Sequence, residues 1–347
     1  MTSRAFITGL AGTDITAAER SFLRAAEPWG LIIFQRNIAA PEQVRRLVAE
    51  FRAAVGRADA PVLVDQEGGR VQRLGPPHWP SYPPGAEYGR LYDRDRAAGL
   101  EAARLGACLI ASDLVALGID VDCLPVADVP VAGADSVIGD RAYGDTPEKV
   151  AAIAAAIAAG LMEGGVLPVL KHLPGHGRAM ADSHDRVPVV HAERAVLEAT
   201  DFAAFRPLAG LPMGMTAHVV FTAYDAVAPA TTSVTMVQQV IRDSIGFEGL
   251  LMSDDVSMGA LSGSLAERTR AAIAAGCDIV LHCNGRMEEM QAVAAAAPPL
   301  AGAAERRARR ALGARAKPRD IDLGEARKMF AALLAEGRAA GARMAAS

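Results

Sequence analysis

The fold is indicated by residues 148–172, EKVAAIAAAIAAGLMEGGVLPVLKH, which hold one helical pattern followed by one short apolar run. Glu148 to Gly160 is rich in alanine and has apolar residues at helical spacing. Two glycines follow, and Leu167–His172 then has the length and composition of a buried β-strand. A helix followed by a strand is the repeating unit of α/β proteins, so this stretch predicts that fold class.

Seven further apolar runs resemble Leu167–His172. The eight candidate strands are Ala5–Leu10, Gly30–Phe34, Pro61–Asp65, Asp120–Val126, Leu167–His172, Met213–His218, Leu250–Asp254 and Asp278–His282. They are near-continuous apolar runs, which is typical of parallel strands buried on both faces. Eight strands alternating with helices predict a TIM-type (β/α)8 barrel. An open doubly wound sheet is the alternative, but no G-x-G-x-x-G motif follows the first strand.

Helices between the strands are indicated by apolar residues at a spacing of three or four. The clearest helical face consists of Val44, Leu47, Val48, Phe51 and Val55. We also expect helices from Ser233 to Gly246 and from Ala192 to Gly210. The pattern changes after Pro298, so we expect one catalytic domain over residues 1–347 in which residues 300–347 form a C-terminal helical extension.

Composition excludes several classes of protein. Of 347 residues, 51% are hydrophobic and 22% are charged, and the net charge of -4 argues against a broad nucleic-acid-binding surface. The four cysteines form no C-x-x-C pair, which argues against a zinc ribbon. The longest apolar run, Val150–Met162, is shorter than the roughly 18–20 residues of a membrane helix. The N-terminus is a poor signal peptide, so we expect a cytoplasmic protein without nucleic-acid or membrane partners.

Polar residues follow several of the candidate strands. The third strand leads into DQEGGRVQR (65–73), the fifth into KHLPGHGRAMADSHDR (171–186) and the seventh into SDDVSM (253–258). In a barrel of this type the active site lies at the carboxyl ends of the strands. Acids, bases and cations from distant parts of the chain are therefore expected on one rim.

The loop after the fifth strand carries His172, His176 and His184, with Asp182 close to the last of them. A metal site using His172 and His176 would need a helix, which Pro174 and its neighbouring glycines disfavour, so we expect no metal. Asp182 and His184 are two residues apart and point the same way in an extended loop. A carboxylate beside an imidazole fixes its orientation, which favours acid/base chemistry at His184.

Asp254 and Asp255 end the seventh strand. Adjacent strand residues face opposite sides, so one carboxylate is expected to face the rim while the other points away. Strand parity does not decide which of the two faces the rim. The alternative is that both simply cap the following helix.

Four motifs together resemble glycoside hydrolase family 3, and within it the bacterial NagZ-type β-N-acetylhexosaminidases. The motifs are DQEGGRVQR (65–73), KHLPGHG (171–177), DSH (182–184) and SDDVSMGAL (253–261). They occur in the family's order, and the resemblance extends to about residue 300. D-S-H marks the N-acetylglucosaminidase branch. The β-glucosidase branch normally lacks it and uses a glutamate from a second domain, for which we expect no room here.

The resemblance implies a retaining mechanism in which Asp254 is the nucleophile and His184 is the acid/base, oriented by Asp182. It implies sugar contacts from Asp65, Arg73, Arg141, Lys171 and His172. It also implies that no cofactor or metal is needed. Because an imidazole replaces the second carboxylate, the usual carboxylate separation gives no test of stereochemistry.

The implied substrate has a terminal β-linked N-acetylglucosamine. For cytoplasmic relatives of this type it is N-acetylglucosamine linked to 1,6-anhydro-N-acetylmuramic acid peptides, released in peptidoglycan recycling; protein partners are left open. This chain has Leu173 where phenylalanine is usual, and Arg178 after GHG. We hypothesise that Arg178 alters leaving-group preference, and that Gly175 and Gly177 are hinges of the loop.

Four alternatives stay open at this point. A phosphorylase would use phosphate instead of water against the same sugar. A β-glucosidase would tolerate different groups at the 2-position, and a non-catalytic sugar-binding protein would need neither Asp254 nor His184. A metal-dependent barrel hydrolase would lose activity in chelator.

Overall fold

A closed barrel of eight parallel strands forms the centre of the protein, as the sequence predicts. The computed structural model describes the backbone of residues 3–345 and the side chains of residues 3–335. The barrel strands are β1 (Arg4–Thr8), β2 (Pro28–Ile33), β3 (Val62–Val64), β4 (Val121–Asp122), β5 (Leu167–Leu173), β6 (Met213–Thr216), β7 (Leu250–Asp255) and β8 (Ile279–His282). They neighbour one another in chain order, and β1 pairs with both β2 and β8, which closes the barrel.

Helices surround the barrel. The α-helices are α1 (Ala17–Ala26), α2 (Pro41–Val55), α3 (Gly85–Arg94), α4 (Arg96–Val115), α5 (Pro147–Glu163), α6 (Arg194–Ala199), α7 (Leu265–Ala275), α8 (Met287–Ala296), α9 (Gly302–Gly313) and α10 (Leu323–Ala345). The five apolar residues predicted on one face of α2 are all buried. In the part of the chain that the structure describes, no helix combines the length and apolarity needed to traverse a bilayer.

The helix expected between Ser233 and Gly246 is present as a π-helix, Met236–Ser244. The Ser233 hydroxyl accepts a hydrogen bond from the backbone N of Met236 at 3.1 Å, and Gly246 has φ +78°, as expected for the residue that ends a helix. The position of the helix was therefore predictable, whereas its wider hydrogen-bonding pattern was not.

Two predicted elements differ from those observed. The fourth strand was expected over Asp120–Val126, but regular pairing covers only Val121–Asp122, because Pro125 has no N–H to donate to the ladder. The helix expected over Ala192–Gly210 consists of α6 and two separate 3₁₀ turns, Phe202–Ala204 and Arg206–Leu208. The helix is interrupted at Thr200, which has φ -122° and ψ -79°, outside the helical region. Further on, the missing N–H of Pro207 separates the two 3₁₀ turns.

The C-terminal extension closes the amino-terminal end of the barrel. Ala308 and Ala311 of α9 pack into the apolar cluster inside the barrel, which includes Trp29. The arginine-rich sequence here is partly used in ion pairs with the barrel, since Arg307 Nη1 lies 2.8 Å from Asp278 Oδ1 at the start of β8. The opposite, carboxyl-terminal end of the barrel is left for the site.

Candidate active site

A cavity of about 330 Å³ opens at the carboxyl ends of the barrel strands. All eight residues singled out from the sequence line it: Asp65, Arg73, Arg141, Lys171, His172, Asp182, His184 and Asp254. They come from β5, β7 and the loops that follow β3, β4 and β5. The barrel topology therefore brings together residues that are up to 189 positions apart in the chain (Asp65 to Asp254).

One wall of the cavity is a cluster of buried charges around Lys171. Its Nζ atom lies 3.0 Å from Oδ1 of Asp65 and 2.7 Å from Oε1 of Glu67. Arg73 Nη2 lies 3.0 Å from the other oxygen of Asp65, and Arg141 binds both oxygens of Glu67 at 2.8 Å. The cluster contains three cationic side chains and only two carboxylates. Some N–H donors therefore remain available for the hydroxyl groups of a ligand.

The charge cluster keeps its members ionised. Burial alone would raise the pKa of Asp65, but Lys171 and Arg73 outweigh it, and the pKa is well below its ordinary value. Burial likewise opposes ionisation of Glu67, yet Arg141 and Lys171 lower its pKa to about 2. For Lys171, burial lowers the pKa, but the two carboxylates more than compensate and raise it. The wall is therefore a fixed set of charges at neutral pH.

His172 is held by a buried carboxylate. Its Nδ1 atom lies 2.7 Å from Oδ2 of Asp128, a residue with no exposed surface. Burial alone would raise the pKa of Asp128, but the adjacent His172 ring outweighs burial, and the pKa lies below its ordinary value. The carboxylate is therefore ionised. Asp128 as acceptor fixes the ring with Nδ1 protonated, which leaves Nε2 of His172 for the cavity.

Asp254 presents a carboxylate to the cavity at the end of β7. Its Oδ1 atom accepts a hydrogen bond from the backbone N of Asp255 at 2.8 Å, and no described side chain hydrogen-bonds to it. Burial alone would raise the pKa of Asp254, but the rings of His218 and His172 and the Asp255 amide lower it. Asp254 is therefore an ionised carboxylate, and its Oδ2 atom accepts no hydrogen bond from the described residues.

Asp255 is held in a different way, although it also touches the cavity. It accepts hydrogen bonds from the Ser257 hydroxyl at 2.7 Å and from the backbone N of Cys283 at 3.2 Å. The pairing register of β7 with β8 shifts between Met252 and Asp255, so simple strand alternation does not apply here. The two acids are thus distinguished by their partners: Asp255 ties β7 to β8, and Asp254 is left free for chemistry.

The Asp182–His184 pair lies on the exposed rim of the cavity. His184 Nδ1 lies 2.7 Å from Oδ1 of Asp182, which also accepts from the His184 backbone N at 2.9 Å. Burial raises the pKa of Asp182, but its hydrogen bonds with His184 lower it below its ordinary value. The His184 side chain is 68% exposed. An oriented imidazole that solvent reaches is suited to giving and taking protons.

The loop carrying this pair is fixed to its neighbours by the backbone. The carbonyls of Ser183 and His184 accept hydrogen bonds from the backbone N of Ala260 and Gly259, both at 3.1 Å. At the root of the loop, a Cβ atom on Gly177 would lie 2.0 Å from the Val129 carbonyl oxygen. Gly177 is thus required for close packing against the loop after β4, a role different from the hinge suggested by the sequence.

Arg178 does not line the cavity. Its Nε lies 2.5 Å from Oδ2 of buried Asp201, and Nη2 lies 2.8 Å from the Thr200 hydroxyl. It therefore anchors the root of the loop to the segment after α6. The hypothesis that Arg178 acts on the leaving group finds no support in this geometry.

Four further residues support the site, although no role was predicted for them: Glu67, Asp128, His176 and His218. The position of Glu67 and Asp128 after strands β3 and β4 predicts that they lie near the rim, but it does not predict which side chains they contact. His218 is fully buried, with Nε2 2.9 Å from the carbonyl oxygen of Asp255. Its contact depends on the closure of β6 against β7, which residue spacing does not reveal.

The site shows no arrangement suited to a metal ion. Over the side chains of residues 3–335, no group of three or more His, Cys, Asp and Glu residues is placed to hold one. The Asp65 and Glu67 carboxylates are instead paired with cations, and His172 is paired with Asp128.

Comparison with known proteins gives the family. Residues 6–310 match the glycosyl hydrolase family 3 N terminal domain. A β-hexosaminidase of Alkalilimnicola ehrlichii is 42% identical over 280 residues, which are 80% of this chain and 79% of that protein. A β-hexosaminidase of Xanthomonas axonopodis pv. citri is 40% identical over 301 residues, covering 83% of this chain and 86% of the other.

A solved structure supports the same assignment. Native NagZ from Neisseria gonorrhoeae superposes with a TM-score of 0.86 and 32% identity, covering 96% of this chain and 98% of the other. That protein is also known in complex with N-trifluoroacetyl-D-glucosamine (TM-score 0.83, 32% identity, 97% and 98% covered). This chain therefore belongs to glycoside hydrolase family 3 and is a glycoside hydrolase of the β-N-acetylhexosaminidase type.

Proposed function

We propose that this enzyme releases terminal β-linked N-acetylglucosamine with retention of configuration, through a covalent intermediate on Asp254. The observation that carries the proposal is the ionised Asp254 carboxylate, which lines the same cavity as His184 and whose Oδ2 atom accepts no hydrogen bond from the described residues. A nucleophile needs an oxygen with free lone pairs, and Asp254 has one.

In the first step an oxygen of Asp254 attacks the anomeric carbon as the bond to the leaving oxygen breaks. Protonated His184 gives its Nε2 proton to that oxygen, since Nδ1 is held by Asp182. In the second step neutral His184 takes a proton from water, whose oxygen attacks the anomeric carbon and releases Asp254. Asp182 keeps the ring oriented and stabilises its charged form.

The charged wall is proposed to hold the sugar. The guanidinium groups of Arg73 and Arg141 and the ammonium of Lys171 donate to sugar oxygens, and the Asp65 carboxylate accepts from hydroxyl groups. Nε2 of His172 faces the same space. Because these groups are already fixed by their ion pairs, little side-chain entropy is lost when the sugar binds.

We propose that the natural substrate is the N-acetylglucosamine–1,6-anhydro-N-acetylmuramic acid peptide of peptidoglycan recycling, and that the enzyme works in the cytoplasm. One observation supports this: the chain is similar to a NagZ protein that binds an N-acetylglucosamine analogue. The gonococcal protein has also been solved with a zinc ion (TM-score 0.85, 32% identity), but the retaining mechanism here routes no step through a metal.

The test is the hydrolysis of 4-nitrophenyl β-N-acetylglucosaminide in excess chelator. We expect activity in the native enzyme and a loss of about 10³-fold or more in Asp254→Ala, about 4 kcal/mol of transition-state stabilisation. The proton NMR spectrum of the first product should show the β-anomer. A 5-fluoro N-acetylglucosaminyl donor should add the mass of one sugar to the peptide that contains Asp254.

Controls separate this proposal from the alternatives. The product should be free sugar in phosphate buffer, whereas a sugar 1-phosphate would indicate a phosphorylase. Equal rates on the glucoside would indicate a relaxed β-glucosidase, and binding without turnover would leave a sugar-binding protein. Loss of activity in chelator that zinc restores would favour a metal-dependent hydrolase.

A further inference from the structure

We propose that His176 is a positioning residue for the reaction: its hydrogen bond to Ser183 sets the place of the loop tip that carries His184. The inference rests on the proposed role of His184 as acid/base. His176 lies at the root of the loop and Ser183 at its tip, immediately before His184, so this contact spans the loop.

His176, at one end of this hydrogen bond, is held rigidly by its surroundings. Its ring is 3% exposed, and its backbone N donates to Oδ1 of Asp128 at 2.7 Å. The same Asp128 holds the ring of His172, which meets the His176 ring edge to face at 5.8 Å between centroids. Asp128 therefore fixes two residues at once: His172, a proposed sugar contact, and His176, at the root of the loop that carries His184.

At the other end of this hydrogen bond, Ser183 is a buried residue of the loop tip. Ser183 is 3% exposed, and its hydroxyl lies 3.1 Å from Nε2 of His176. The flanking Asp182 and His184 are more exposed and bond mainly with each other. Their own contact fixes the ring relative to Asp182, but it does not fix the pair relative to the cavity.

The protonation of His176 favours this geometry. Burial lowers its pKa to about 4, so the ring is neutral at pH 7. Nδ1 is buried and has no hydrogen-bond partner among the described residues. With the proton on Nε2, the ring donates to the Ser183 oxygen and leaves an unpaired acceptor at Nδ1, which costs less than a buried unpaired N–H.

The consequence concerns proton transfer more than sugar binding. If the contact is lost, the backbone bonds of Ser183 and His184 to Ala260 and Gly259 still hold the tip. The tip is then held less tightly, and a misplacement of about 1 Å can cost up to about 10²-fold in rate. The loss should appear only where His184 must move a proton.

The experiment compares aryl N-acetylglucosaminides that have poor and good leaving groups. Phenol needs protonation by His184, whereas 2,4-dinitrophenolate leaves without it, and azide replaces water without a general base. For Ser183→Ala and His176→Leu we expect kcat/KM on the phenyl substrate to fall by about 10–100-fold. With the dinitrophenyl substrate and azide, the rates should stay within about threefold of the native enzyme.

Matched variants test the hydrogen bond itself. His176→Gln places an amide donor near the position of Nε2 and should recover most of the lost rate. The double variant Ser183→Ala, His176→Leu should lose no more than either single variant, because both remove one interaction. Met180→Ala changes an exposed side chain of the same loop and should leave all rates unchanged.

The outcomes are distinct. Unchanged rates in Ser183→Ala, or equal losses on both substrates, would overturn the positioning role. A loss in His176→Leu that Ser183→Ala does not share would instead indicate that His176 contacts the sugar. If His184→Ala itself shows no dependence on the leaving group, the proposed acid/base is wrong, which is a separate failure.

Discussion

The Nδ1 atom of His184 lies 2.7 Å from Oδ1 of Asp182, on a loop tip where 68% of the His184 side chain is exposed. The partner of the imidazole is thus only two residues away, while the cavity wall is assembled from strands throughout the chain. Orientation of the ring is local, and its placement over the cavity depends on the fold.

The first prediction concerns this pair. Asp182→Ala should leave the fold intact, because Asp182 is partly exposed, but it should lower kcat on 4-nitrophenyl β-N-acetylglucosaminide by about 10²–10³-fold. The reason is that Nδ1 of His184 loses the acceptor that orients it. Asp185→Ala, at the exposed neighbouring acid, is the control and should keep native rates. A native kcat in Asp182→Ala would show that the ring needs no orientation.

The second prediction concerns the charge cluster. Lys171→Met leaves the buried Asp65 and Glu67 carboxylates with one guanidinium each. We expect the free energy of unfolding to fall by about 3 kcal/mol, measured by urea denaturation, because buried carboxylates are left undercompensated. KM for the aryl substrate should rise as well, since a donor to the sugar is removed.

A surface ion pair provides the control for Lys171→Met. Lys328 Nζ lies 3.9 Å from Oε2 of Glu325, and the two side chains are 80% and 66% exposed. Lys328→Met should change the free energy of unfolding by less than about 1 kcal/mol, because water and salt screen such a pair. If the free energy of unfolding fell by a similar amount in both variants, burial of the Lys171 cluster would not increase the cost of removing its cation.

The third prediction concerns Arg178. Arg178→Ala removes the guanidinium from buried Asp201 and should lower the free energy of unfolding by about 2 kcal/mol. The ratio of rates on phenyl and dinitrophenyl substrates should stay native, because the loop tip keeps its own contacts. Arg186→Ala, at an exposed arginine of the same loop, is the control. A changed ratio would restore the hypothesis that Arg178 influences the leaving group.

The fold was predictable because buried parallel strands leave a strong signal. All eight strands were recognised as apolar runs, and the polar residues after them do meet at one end of the barrel. The helix expected over Ala192–Gly210 was the clear exception. Its alanine-rich pattern outweighed Pro207 in the sequence, whereas in the structure the missing N–H of that proline separates the turns.

The site residues that could be predicted are mainly those that belong to recognisable sequence motifs. The eight selected residues all line the cavity. The acid/base role of His184 beside Asp182 was predicted from the residues themselves, whereas the other roles came from a family resemblance. The contacts that hold these residues in place could not be predicted from the sequence. Asp128 lies 44 residues before His172, and the difference between Asp254 and Asp255 depends on a shift in strand register. Such contacts require the closed barrel, because spacing along the chain says nothing about which loops meet.

The last prediction is the pH dependence of stability. The pKa of His176 falls from an ordinary 6.5 to about 4 in the folded protein, because burial disfavours the charged ring. Between these values the unfolded chain binds the proton and the folded protein does not, so the free energy of unfolding decreases as pH falls from about 6.5 to 4. The contribution of His176 is on the order of 3 kcal/mol, at about 1.4 kcal/mol for each pKa unit.

The measurement is urea denaturation of the native enzyme and His176→Gln at pH 7.5, 5.5 and 4.5. Glutamine keeps a donor for Ser183 but does not titrate, so the variant should lose less stability on acidification than the native enzyme. Buried His218 has a pKa lowered in the same direction, chiefly by burial, and remains in both proteins, so part of the acid destabilisation should persist in the variant. Parallel pH profiles of the two proteins would mean that folding does not lower the pKa of His176, contrary to the effect expected from its burial.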